Sequence, residues 1–530
     1  MLRARAPIAL WIAILLGLPS VAPADDLREI VIVHTNDFES ALDPIDAFWL
    51  EGGPRVGGAA HIKTMVDGLR SRESAAGNPV FLFDSGDMFT GLLSRLTHGE
   101  VMMEMMTTLG YDAMAIGNHE FDYGSENFLE QLHRVPFPVL SANTFWKGTD
   151  YLYTRPHAIV ERDGFRVGVI GVIGRDAMSV VLPSLVADLE FRDPAPYVRA
   201  SVEELEPRVD LIVVLAHQGK TGPMQSDQEA DPAVWRDFDA DIELTTEVPG
   251  IDLFLGGHAH RGIDPPYVNP QTGTLISQTF GHGTRLGILR LWVDREGEVA
   301  RHEGGLVVPL SAEHPPDPVM TAKIEAFKAA HRDRIEPVIG SLTDRLIRKY
   351  RTESSLGSFV ADVIRDSAGA DVGLTNAGGL RADLPAGDVT LGQIRDALPF
   401  LNSVVTVEMS GAQLVEILEQ GLSLERGMIQ VSGLEAVVDL DRRPGSRLVE
   451  LSIGDRPLDE TRTYSVATNS FLAEGGDLYS TFVGLPWIRH DERTLAEVVI
   501  AFFERHDQPL ELPSSGRIVQ RPRPTGPIGG

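Results

Sequence analysis

Short apolar runs end in polar clusters again and again along the first half of the chain. Ile30–Val33 leads into HTND, Val80–Phe83 into DSGD and Ala113–Ile116 into GNHE. Leu211–Leu215 leads into AHQG and Leu253–Leu255 into GGHAH, with a further apolar run at Val167–Val172. Runs this short and continuous read as strands buried on both faces. Between them, Ala59–Arg70 and Val101–Leu109 carry apolar residues at helical spacing. Strands interleaved with helices predict an α/β fold. In such sheets ligands gather at the carboxyl ends of the strands, and the polar clusters sit at those ends.

The pattern changes further along. Pro309–Pro318 (PLSAEHPPDP) is rich in breakers and predicts a boundary. Met320–Ile335 is helical in pattern and densely charged, and reads as a connecting helix. A second α+β region runs to about residue 520, and the Pro/Gly-rich tail from Arg521 (RPRPTGPIGG) is expected to be disordered. At the other end, Arg3 and Arg5 precede the apolar Ile8–Leu18, and Ala22-Pro23-Ala24 offers a small-x-small cleavage site. That is the layout of a secretory signal peptide. The apolar run is short for a membrane span, which needs about 20 residues. The expected division is a signal peptide at 1–24, a first domain at 25–312, a linker helix at 313–336, a second domain at 337–520 and a flexible tail at 521–530. The expected destination is periplasmic or secreted.

Composition narrows the chemistry. In 530 residues, Lys and Arg number 47 against 76 Asp and Glu, a formal charge of −29. So acidic a surface repels nucleic acid, whose binding rests on cations at phosphate. It also gives no bulk attraction to an anionic membrane once the signal is removed. An anionic substrate must then be held locally, by metal ions or a few clustered arginines. Cysteine is absent, which removes thiolate ligands, Cys nucleophiles and disulfides. Metal ligands must come from His, Asp, Glu or Asn.

Taken alone, each cluster reads equally as a strand end with a turn or a helix cap. Taken together they say more. Asp37, Asp87, Asn118, His217, His258 and His260 all lie just after apolar strands and can converge on one sheet edge. Such ligands suit a pair of divalent metal ions. A carboxylate bridging two ions about 3.5–4 Å apart would hold them for in-line phosphoryl chemistry. The glycines of SGD, IGN and GGH let the backbone approach closely.

HTND, DSGDMFTG, GNHEFDYG, AHQG and GGHAH, in this order, resemble the calcineurin-like metallophosphoesterases. More closely, the chain resembles the secreted 5'-nucleotidase and UDP-sugar hydrolase family, over about Ile30 to Phe482. The resemblance implies a four-layer α-β-β-α metallophosphoesterase sandwich with a C-terminal α+β nucleotide-specificity domain. It implies one metal site at Asp37, residue 39, Asp87 and His260, and another at Asp87, Asn118, His217 and His258. His119 would be the catalytic histidine and Asp122 would orient it. There is one departure: the family pattern has His two residues after the first Asp, and here Glu39 stands in that place. A carboxylate can still ligate, and it shifts preference toward Mn²⁺, Mg²⁺ or Fe over Zn²⁺.

Downstream, TNAGGLRADL holds Asn376 and Arg381, LPFLNSVV holds Phe400, and TNSFLAEGGDLY holds Phe471 and Asp477. An Arg–Asn pair reads as an anion clamp, and two Phe can stack a planar base or simply fill a core. By the resemblance, Asn376 and Arg381 bind substrate, Phe400 and Phe471 sandwich the nucleobase and Asp477 contacts the ribose. Arg351, in RTESSLG, sits near another family arginine at a less regular spacing. The implied activity is metal-dependent hydrolysis of nucleotide phosphate esters by a monomer or dimer. The alternatives are a thiosulfohydrolase-like enzyme on the same scaffold, and a nucleotide-binding protein with catalysis weakened at Glu39.

Overall fold

The computed structural model describes residues 27–220, 238–506, 508–511 and 516–521. The expected signal peptide and nearly all of the expected tail lie outside the described residues. Arg521, the first residue of that tail, is within them, and its N–H donates to the Val438 carbonyl at 2.7 Å.

Six strands form the first sheet, in the order Val299–Val307, Leu286–Val293, Arg28–Thr35, Val80–Asp84, Ala113–Ala115 and Val139–Leu140. The last four run parallel. A second six-stranded sheet has the order Tyr267–Val268, Leu275–Ser277, Leu253–His258, Leu211–Gln218, Phe165–Ile173 and His157–Arg162. Its four central strands are parallel too.

The sheets pack face to face. Ile30, Ile32, Phe81 and Phe83 from the first meet Val167, Val169, Val213 and Leu255 from the second in one buried cluster. The intervening residues point the other way, as the period of two requires. Val31, Val33 and Leu82 pack under helices Ala59–Ala76 and Glu100–Leu109. Ile212, Val214 and Phe254 pack under Pro194–Leu205 and Asp239–Glu247. This is the expected helix–sheet–sheet–helix sandwich, and strands covered on both faces explain the unbroken apolar runs.

Two helices, Pro318–Ala330 and a short Arg332–Ile335, lie in the stretch between the first region and the next. Asp317 caps the longer one, accepting from Met320 N–H at 2.8 Å. That helix is docked rather than free, because Met320 and Ile324 are buried in the same core as helix Ala59–Ala76. The region beyond centres on a five-stranded mixed sheet, ordered Gln430–Ser432, Val372–Thr375, Thr463–Asn469, Ser403–Ser410, Trp487–Thr494. Helices Ser355–Ala368 and Leu495–Arg505 cover one face and Gly411–Gly421 the other. Among the described residues, no helix is long and apolar enough to cross a membrane.

Asp252, at the base of the second sheet, accepts from Ile212 N–H at 2.7 Å, and burial pushes its carboxyl up to about 7. A raised carboxyl pKa means the folded state holds a proton that the unfolded state has lost. Its contribution is complete below the ordinary carboxyl range and declines as pH rises toward 7. Asp252→Asn keeps the acceptor and removes the charge. The variant is expected to gain on the wild type by about 1–2 kcal/mol between pH 4 and pH 8, as read from urea unfolding at both pH values.

Candidate metal centre and active site

The parallel strands of both sheets end at the same edge. The first strand runs on through Asn36 to Asp37, the second through Asp84 to Asp87, and the third through Gly117 to Asn118 and His119. The opposing sheet delivers His217 from within its strand and His258 as the last residue of the next. All seven predicted metal residues, Asp37, Glu39, Asp87, Asn118, His217, His258 and His260, are buried there.

Their donor atoms crowd together. Asp37 Oδ1 lies 3.2 Å from His260 Nε2 and 4.0 Å from His217 Nε2. Asp87 Oδ2 and Asn118 Oδ1 each lie 3.0 Å from that same His217 nitrogen. Glu39 Oε1 lies 3.6 Å from His260 Nε2 and 3.8 Å from His119 Nε2. Three overlapping groups, Asp87/His217/His258, Asp37/Glu39/His260 and Glu39/Asp87/His119, each gather their ligand atoms within 4.8 Å.

The backbone is bent to achieve this. Asp37, Glu39, Asp87, His258 and His260 have φ of 50°, 45°, 61°, 66° and 50°. Such conformations cost non-glycine residues about 1–3 kcal/mol each and persist where surroundings over-determine them, typically at functional sites. Two glycines are forced by proximity. A Cβ at Gly117 would lie 2.3 Å from Asp87 Oδ1, and one at Gly257 would lie 2.8 Å from the Ser85 carbonyl.

Burial opposes a charged His217 ring, but Asp87 and Asp37 outweigh it and push the ring up to about 10. A cation among the same carboxylates would displace that proton, and because Nδ1 lies 2.8 Å from the Ser85 carbonyl, Nε2 is the nitrogen left to ligate. His258 behaves oppositely: burial and neighbouring cations hold it well below the usual range, so it is neutral. Its Nε2 is buried without a hydrogen-bond partner, a lone pair aimed into the cluster. A neutral imidazole lone pair beside carboxylates and an amide oxygen is the donor set that a divalent cation takes. The residues fit a metal.

Sequence reasoning passed over Glu120, the last residue of GNHE. Its carboxylate accepts from the N–H groups of Asp87, Met88 and Gly117 at 2.9, 2.8 and 2.7 Å. It thereby ties the DSGD and GNHE loops to each other. Burial, with Asp87 nearby, raises it to about 7. Its position beside His119 was the available signal.

His119 N–H donates to Asp87 Oδ1 at 2.7 Å. Its Nδ1 lies 3.0 and 3.1 Å from the two Asp122 oxygens, so Nε2 faces the cluster. Burial disfavours the imidazolium, yet Asp122, Asp87 and Glu39 together push it up to about 10.

The second region closes over this edge. Asn376, Arg381, Phe400, Phe471 and Asp477 line a cavity of about 110 Å³ with Glu39, Asp87, Asn118, His119, His258 and His260. Asn376 Nδ2 donates to Asp477 Oδ2 at 2.7 Å. The Phe400 ring stacks on His119, with centroids 5.8 Å apart and planes 16° apart. Phe471 takes part in both the cavity wall and the local core. Arg381 contacts Glu39 directly. Arg351 is not among the lining residues, whereas its neighbour Tyr350 is. Val180, Leu182 and Leu185 of the first region complete the apolar wall, a contribution their sequence gave no sign of.

The profile of the calcineurin-like phosphoesterases matches residues 30–262. That of the 5'-nucleotidase C-terminal domain matches residues 338–484. The chain is 29% identical over 530 residues to protein UshA of Yersinia enterocolitica, covering 92% of each. It is 31% identical over 516 residues to the trifunctional nucleotide phosphoesterase YfkN of Bacillus subtilis, of which it spans 33%. A solved 5'-nucleotidase precursor from Thermus thermophilus superposes with TM-score 0.79 at 29% identity, over 93% of this chain and 99% of that one. Sandwich and ligand cluster together define a metal-dependent phosphoesterase, a hydrolase of phosphoric esters. Within that class, the chain belongs to the 5'-nucleotidase family, whose C-terminal domain it carries.

Proposed function

We propose that the chain is an exported hydrolase of nucleoside 5'-phosphates, with UDP-sugars or 2',3'-cyclic nucleotides as further substrates. The observation that carries this reading is a cavity shared by the metal-ligand cluster and by Asn376, Arg381, Phe400, Phe471 and Asp477. Export rests on the layout of residues 1–24. The division at 25–312, 313–336 and 337–520 goes with it.

Asp37, Glu39, Asp87 and His260 would hold one divalent ion, and Asp87, Asn118, His217 and His258 a second. Bound there, the ions supply an activated water and neutralise the phosphoryl oxygens. Glu39 adds a hard, charged ligand and favours Mn²⁺ or Mg²⁺ over Zn²⁺. Asp122 fixes the His119 ring with Nε2–H toward the cavity, where it can hold a proton against a phosphoryl or leaving-group oxygen. Arg381 clamps the anion, Phe400 and Phe471 stack the base, and the Asn376–Asp477 pair receives the ribose hydroxyls. Domain closure over the cavity excludes water from the reacting centre.

Phosphate release from AMP, UMP, UDP-glucose, cyclic 2',3'-AMP and p-nitrophenyl phosphate, with Mn²⁺, Mg²⁺, Co²⁺ or Zn²⁺, tests the reading. Nucleotides should exceed p-nitrophenyl phosphate in kcat/KM. Absence of nucleotide turnover with every metal overturns it. Phe400→Ala is expected to raise KM for AMP by about 10- to 100-fold, in line with 1–3 kcal/mol per stacked base. Turnover of p-nitrophenyl phosphate, which needs no base slot, is the control.

A further inference from the structure

Glu39 faces two ways. Its Oε1 turns to His260 and His119, while its Oε2 lies 3.2 Å from His282 Nε2 and also meets Arg381. His282 was not among the residues singled out in the sequence. Its backbone is as unusual as that of the ligand residues: Gly281, His282 and Gly283 have φ of 82°, 50° and 59°. Three successive left-handed residues make a built loop, and its packing leaves no slack. A Cβ at Gly283 would lie 2.9 Å from Ile62 Cδ1 and 3.0 Å from the Phe38 ring. The His282 N–H donates to the Asp37 carbonyl at 2.7 Å. The main chain of His282 thus holds one ligand residue while its side chain meets another.

We propose that His282 is a positioning residue for the metal centre: it donates from Nε2 to Glu39 Oε2 and thereby turns Oε1 toward the ion that Asp37 and His260 hold. This rests on the metal reading above. A carboxylate oxygen only accepts, so the His282 nitrogen facing it carries the proton. Arg381 meets the same oxygen from the second domain, where the proposed task of clamping substrate calls for it to move. His282 comes from the same sheet edge as Asp37 and stays. Ligands held by such outer partners lose about 10- to 100-fold in metal affinity when the partner is removed.

Titration calorimetry of the full metal-free chain with Mn²⁺ is the test, with ion content measured after dialysis. The wild type should bind two ions. In His282→Ala, one site is expected to weaken by about 10- to 100-fold and the other to hold. His282→Gln, whose amide can still donate, should keep most of the affinity. His282→Phe keeps the bulk without the donor and repeats the comparison if the alanine variant does not fold. Unchanged affinity at both sites in the donor-less variant overturns the inference. So does an equal loss in His282→Gln, since the ring nitrogen would then itself be what the ion needs. A wild type that binds no Mn²⁺ overturns the metal reading itself, and the wild-type trace tells that failure apart.

Discussion

Asp87→Asn is expected to lower phosphate release more than about a thousandfold, well beyond the 10- to 100-fold that loss of an outer partner costs. The reason is its position. Asp87 belongs to two of the three groups whose ligand atoms converge. One oxygen accepts from His119 N–H at 2.7 Å and the other lies 3.0 Å from His217 Nε2. Asparagine has the same shape and can still accept from His119, so the loops that Glu120 ties together should stay in place. What is lost is the charge that two ions would share. The expected signature is therefore in metal content as well as in rate. Elemental analysis after dialysis should fall from two ions to one or fewer. Thermal unfolding should show the same loss: an ion present at 100 times its Kd stabilises by about 2.7 kcal/mol, and that increment should vanish from the variant. An Asp87→Asn protein that retains two tightly bound ions would remove Asp87 from the bridging role.

Much of this site was legible in the sequence, for a simple reason. A strand buried on both faces leaves a continuous apolar run, and the polar residues that end it must lie at the sheet edge. Asp37, Asp87, Asn118, His217 and His258 all announce themselves that way. Glu120 and His282 do not. Glu120 looks like one more helix-start carboxylate, and only the folded loops show that its oxygens collect four backbone N–H groups, those of Asp87, Met88, Phe89 and Gly117. His282 sits in a Gly-His-Gly turn after an edge region and reads as loop. Its partner Glu39 is 243 positions away. The meeting of Glu39 with Arg381 spans 342 positions and joins the two domains. No local pattern encodes such a contact. Arg351 shows a different limit. The resemblance suggested it at a less regular spacing, and in the fold it is the neighbouring Tyr350 that lines the cavity. Adjacent residues on an irregular segment point in different directions, so an offset of one decides which of them meets the cavity.

His119→Ala should separate binding of metal from chemistry. Asp122 holds the His119 ring at Nδ1, and the His119 backbone N–H donates to Asp87. Phe400 stacks on its face. Burial works against the imidazolium and the surrounding carboxylates favour it; the first of them is Asp122, which is not among the proposed ligands and so keeps its charge for the ring. A protonated imidazole so placed does general-acid or electrostatic work, worth about 10²- to 10⁴-fold. The variant is accordingly expected to lose that much in kcat for AMP, with metal content unchanged and KM little altered. The choice of ester then distinguishes the two roles. An alkoxide such as the ribose 5'-oxygen needs a proton to leave, whereas p-nitrophenolate does not. If His119 protonates the leaving group, the loss with p-nitrophenyl phosphate should be much smaller than with AMP. Equal losses with both esters would assign His119 to the phosphoryl oxygens instead. Asp122→Asn provides the matching control. It keeps a hydrogen-bonding partner near Nδ1 but withdraws the charge that holds the ring protonated. Its deficit should therefore be smaller than that of His119→Ala and should grow as pH rises, because the weakened imidazolium loses its proton first. A deficit in Asp122→Asn that is flat with pH would mean that the carboxylate merely orients the ring.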